Sequence, residues 1–157
     1  MTKIRRALAL AAATAGAVIL ASSPASAYPT WQSWVPTANT TCGDTTPSKT
    51  SDKVINQTCM IVHPNNESAQ GVLLVRNNAS VNITIDTATV YWLDQDGFGP
   101  PYGVASCGKK VLVPGELTAC YGMSAWPEIG HQVQSSYMYN GLKTITKSET
   151  YWGDFWD

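Results

Sequence analysis

The sequence predicts an all-β fold, a small disulfide-bonded immunoglobulin-like β-sandwich led by an extended N-terminal arm. Three observations predict it. Short apolar runs recur between turn residues, some with period two, and no segment sustains a capped 3.6-residue helical period. Four cysteines, Cys42, Cys59, Cys107 and Cys120, fall in a chain of 157 residues, long enough for one modest core. A polar stretch ahead of the runs is too poor in aliphatic residues to fold alone.

Residues 1–27 come first. Lys3, Arg5 and Arg6 precede an uncharged Ala- and Leu-rich run from Ala7 to Ala21, and Ala25 and Ala27 supply a small-x-small ending. That pattern predicts a cleaved secretory signal peptide. The apolar run, about 15 residues, is shorter than the roughly 20 a spanning helix needs, so no retained membrane anchor is expected. Removing three of the ten basic residues leaves seven against eleven acids, a net charge of −4 for the chain from Tyr28. A mildly acidic chain with scattered lysines has no electrostatic footprint for nucleic acid. It also lacks the polybasic cluster of an anionic-membrane binder.

Residues 28–57 are rich in Thr, Ser, Pro and Asn, punctuated by Tyr28, Trp31 and Trp34. They are expected to form the arm, ahead of a sandwich domain over 58–157. The body then reads as strands. Thr58–His63 is β-branched and ends at Pro64-Asn65-Asn66. Gln70–Arg76 is an apolar run stopped by Asn77-Asn78. In Val81–Leu93, Val81, Ile83 and Ile85 alternate with polar residues and should share one face. A Gly/Pro-rich loop, Asp94–Gly103, separates this from Val104–Cys107 and Lys110–Val113. Pro114-Gly115 fits positions i+1 and i+2 of a type II turn. Leu117–Tyr121, His131–Tyr139 and Leu142–Thr146 complete the set, and Asn140-Gly141 is a strong hairpin signal. The last seven residues, Tyr151–Asp157, hold four aromatics and two acids. They suit either a final strand covering the sandwich or an exposed docking strand.

The four cysteines read as two disulfides in an oxidising compartment, so the chain is expected to be extracellular. Three pairings are open, and Cys42–Cys59 with Cys107–Cys120 is favoured because each closes a short loop between adjacent segments. A zinc site is disfavoured, since neither Cys-x-x-Cys nor His-x-x-x-His occurs.

Catalytic motifs are missing at the level of spacing. His63 and His131 are the only histidines, and no Gly-x-Ser-x-Gly elbow accompanies them. Asp94-x-Asp96-Gly97 resembles the start of a calcium loop but lacks its later ligands. Asp86, Glu116 and Glu128 are candidate acids, but spacing singles out no pair. No phosphate loop or dinucleotide fingerprint occurs. The expected catalytic, metal and cofactor sets are therefore empty. Aromatics remain, and they anchor protein contacts and sugar stacking alike. Tyr28, Trp31, Trp34, Trp152, Phe155 and Trp156 are the candidate partner-binding residues, and the arm suits strand addition to a partner sheet.

Thr58-Cys59-Met60-Ile61-Val62, the run Val72–Asn78, and Cys107 to Cys120 around Pro114-Gly115 carry a resemblance. With the Ala-rich leader, they resemble small secreted actinobacterial proteins, and more specifically the adaptor subunit of umbrella toxin particles. The resemblance implies a non-catalytic linker between lectin-bearing subunits and a large repeat-containing toxin subunit in competition between bacteria. No family site motif transfers onto numbered residues. Two other readings stand beside it: a hydrolase inhibitor presenting residues 94–103, and a carbohydrate-binding module.

Overall fold

The computed structural model describes residues 30–63, 68–94, 99–126 and 128–151, and these are all strand, turn or loop. In chain order the strands are β1 (Trp31–Gln32), β2 (Thr40–Cys42), β3 (Thr46–Ser48), β4 (Ser51–Val62), β5 (Ala69–Asn77) and β6 (Ile83–Leu93). They continue with β7 (Tyr102–Cys107), β8 (Lys110–Leu112), β9 (Leu117–Ala125), β10 (Gln132–Tyr139) and β11 (Leu142–Lys147). Two antiparallel sheets result. One has the order β1-β9-β5-β4-β2, with β3 also on β4; the other has β11-β10-β6-β7, with β8 also on β6.

Among the long strands, the first, second and fifth (β4, β5, β9) share one sheet, and the third, sixth and seventh (β6, β10, β11) share the other. That is the immunoglobulin-type arrangement, here with the fourth strand, β7 and β8, lying beside the third. Trp92 on β6 is 1 % exposed at the centre of the core. Its indole N–H donates to the Met123 carbonyl at 3.0 Å. Val54, Met60, Leu73, Val75, Ile85, Val90 and Val133 fill the space between the sheets around it.

Both disulfides form as the spacing favoured. Cys42–Cys59 joins directly opposed residues of β2 and β4. Cys107–Cys120 joins β7 to β9, and so one sheet to the other. Local turn chemistry also holds. Gly115 has φ +80° and Glu116 N–H closes onto Val113 C=O, which makes Val113–Glu116 the expected type II turn. Asn140 and Gly141 have φ 51° and 74°, the two positive values of a type I′ hairpin between Tyr139 and Leu142.

Two elements differ from the sequence reading. β4 starts at Ser51, so it runs straight through the arm–body division at 57/58. Its inward face there is polar, Asn56 and Thr58, yet fully partnered. Asn56 Nδ2 donates to the Thr46 carbonyl and to the Tyr137 hydroxyl. The Thr58 hydroxyl bonds those of Ser135 and Thr146. A buried strand can be polar when the facing strands supply hydrogen bonds. In β6 the period-two face breaks at Asp86. The register against β10 shifts there, so Ile83 and Ile85 point inward, followed by Ala88, Val90 and Trp92. Val81 precedes the strand and is 63 % exposed.

Candidate protein-binding surface

The N-terminal segment is a strap over one sheet. β1 pairs with β9, at one edge, with Trp31 opposite Cys120. β2 and β3 pair with β4, at the other edge. The connection between β1 and β2 therefore passes from edge to edge, and Trp34 marks its path on the outer face. There it packs against Cys59, Val72, Leu74 and Ala119, with Tyr121 beside it. The Trp34 and Tyr121 rings lie 6.4 Å apart, tilted by 33°. Burial raises the Tyr121 pKa, opposed by a hydrogen bond with the Val35 backbone.

The sheet under the strap is apolar on both faces. The unbroken run Val72–Val75 supplies Leu73 and Val75 to the core and Val72 and Leu74 to the outer face. Beside Trp34 the strap leaves a groove of about 220 Å³. Its apolar walls are Trp34, Ile55, Leu74 and Leu117, and Thr45, Asn56, Gln57 and Arg76 supply its polar side. That volume suits one large side chain. Arg76 is exposed at the rim and makes no ion pair within 4.0 Å among the described residues. It is also the sole arginine outside residues 1–27. The groove thus offers an aliphatic floor, an aromatic wall and one unneutralised guanidinium, a donor fork matched to carboxylates.

The predicted partner-binding aromatics separate. Trp34 lines the groove. Trp31 does not: its ring packs on the core and its indole N–H donates to the Gly108 carbonyl at 2.6 Å, so it anchors the strap. Tyr28, Trp152, Phe155 and Trp156 lie outside the described residues. The sequence reading missed Ile55, Leu74, Arg76 and Leu117. The signal available for them was the unbroken apolar run in β5, which marks a strand covered on both faces.

The other chemical candidates take ordinary structural places. Glu116 accepts hydrogen bonds from Lys110 Nζ and Val113 N–H, each at 2.9 Å, and the Lys110 contact above all holds its pKa below the usual value. His131 is buried. Its Nδ1 lies 2.8 Å from the Tyr102 hydroxyl and 3.2 Å from the Glu128 backbone nitrogen, whose N–H donates to it. Tyr102 is pushed up to about 12, first by burial and then by Asp94 and Glu128. His63 is exposed at the end of β4. Among the described residues no three His, Cys, Asp or Glu are grouped to hold a metal. No helix among them is long and apolar enough to cross a membrane.

No protein-family model matches the chain, and no curated protein matches it.

Proposed function

We propose that this chain is a secreted, non-catalytic adaptor that binds another protein through the groove beside Trp34. The observation that carries the reading is the groove's composition. A mainly apolar cleft sized for one side chain, rimmed by an arginine that makes no ion pair among the described residues, suits a peptide segment with a large apolar residue next to a carboxylate. The two disulfides and the signal-like leader support work outside the cell. Trp34 is half-buried and tilted on Tyr121 rather than presented flat, which favours a protein ligand over sugar stacking.

The sequence resemblance supplies the larger setting, a link between lectin-bearing and repeat-containing subunits of an antibacterial toxin particle. Native mass spectrometry of the culture medium tests it. The expected result is a stable complex with larger secreted proteins, lost in Arg76→Glu. A chain that runs alone at its native concentration, or a hit on a glycan array that Trp34→Ala abolishes, would overturn the adaptor reading.

A further inference from the structure

Strand β11 forms an edge of the second sheet, and β10 is its one neighbour strand among the described residues. The Ser148 N–H donates to the Val133 carbonyl at 2.8 Å, and that bond fixes the phase of the ladder. Opposed residues of an antiparallel pair alternate between exchanging and not exchanging hydrogen bonds. Thr144 and Thr146, opposite Tyr137 and Ser135, therefore turn their backbone groups toward β10. Lys143, Ile145 and Lys147 turn theirs outward. At Lys147 the backbone of Gly43 closes on the carbonyl, so near that a Cβ on Gly43 would collide with it. At Lys143 and Ile145 the outward N–H and C=O have no backbone partner among the described residues. The side chains follow the same alternation. Thr144 and Thr146 are buried, while Lys143, Ile145 and Lys147 share the outer face, with Ile145 49 % exposed. Neither lysine makes an ion pair among the described residues.

We propose that this edge accepts an extended segment of another protein, paired antiparallel with β11, carrying an apolar residue opposite Ile145 and an acid opposite Lys143. Charge selects that occupant. Antiparallel pairing of two β11 strands about Ile145 would set Lys143 against Lys147 twice, so the edge opposes a second copy of this chain. An acid opposite Lys143 replaces that repulsion by attraction, and an apolar residue opposite Ile145 covers a side chain now half in water. The open main-chain groups of Lys143 and Ile145 supply affinity, and the alternate side chains supply selection. At the Lys147 end, a cavity of about 560 Å³ lined by Asp44, Thr46, Ile145, Lys147 and Glu149 gives the incoming chain room. Its lining is mixed in charge and selects neither sign there. β11 belongs to the sheet that does not carry the Trp34 groove, so the inference stands without that groove as a binding site.

Amide NMR of the disulfide-bonded chain tests it, with the capped peptide Thr-Thr-Thr-Val-Thr-Glu-Thr as probe. Antiparallel pairing with the valine opposite Ile145 sets the glutamate opposite Lys143. At millimolar peptide the Lys143 and Ile145 amides should move downfield and exchange with solvent severalfold more slowly, and Arg76→Glu should leave that effect unchanged. Replacing the peptide's glutamate by lysine should weaken binding severalfold, and Lys143→Glu should reverse the preference. Ile145→Pro removes an outward N–H that β10 does not use and should abolish binding. If that variant unfolds, the charge reversal at Lys143 decides. Equal binding of the two peptides, or no slowing of exchange at Ile145, overturns the proposal. So does slowing that grows with protein concentration in the absence of peptide, which would assign the edge to a second copy.

Discussion

At the scale of single residues, Arg76 and Trp34 test the proposed recognition against stability in different ways. Arg76→Glu alters an exposed side chain and should change stability by no more than about 0.5 kcal/mol. Loss of the partner complex with an unchanged melting temperature is the expected outcome. Trp34→Ala should lose the complex and also cost roughly 1–2 kcal/mol, because its ring covers part of the outer face. Tyr102 gives a prediction in pH. Its folded pKa is raised to about 12 from 10.0, mainly by burial. Between those values the unfolded chain gives up this proton while the folded chain keeps it, so stability falls as pH rises through that window. Chemical denaturation at pH 9 and pH 11 should show a smaller loss in Tyr102→Phe than in the parent. Neither feature was legible in sequence. Trp34 was visible as an aromatic, but its neighbours Leu74, Leu117 and Tyr121 come from distant strands. The surroundings of Tyr102 come from three separate loops and strands.

At the scale of elements, local signals transferred and non-local ones did not. Asn140-Gly141 and Pro114-Gly115 specify their turns through the backbone preferences of two adjacent residues, and both turns formed. Gly141→Val should therefore weaken the β10–β11 hairpin by about 1 kcal/mol or more, measured by urea denaturation. The start of β4 stayed hidden because a polar inward face looks like a loop until Tyr137 and Ser135 are known to face it. The bulge at Asp86 stayed hidden because register is set by β10, not by β6 alone. The disulfides act on different elements. Replacing Cys107 and Cys120 by Ser frees one sheet from the other and should lower global stability by about 3 kcal/mol. Replacing Cys42 and Cys59 releases β2. Hydrogen exchange should then rise first in residues 31–48, with β5 and β10 keeping their protection.

At the scale of the whole molecule, glycines on β5 and β9 leave no room for a side chain against the facing sheet. A Cβ at Gly71 would lie 2.5 Å from Val133 Cγ1 and 3.0 Å from Val90 Cγ1. A Cβ at Gly122 would lie 2.8 Å from the same Val90 methyl. Gly71→Ala must push the sheets apart or move both valines, and should cost about 1–3 kcal/mol in a denaturant titration. The strap has a mechanical consequence. Tension applied at the N-terminal end meets the short β1–β9 pairing first and peels it away. It then draws out the connection beyond Trp34 and β2, and halts at the covalent stop at Cys42. The eleven Cα–Cα steps from Trp31 to Cys42 give an extension of at most about 40 Å before the load reaches β4 inside the sandwich. Under load the domain would yield a fixed length and then cease to yield.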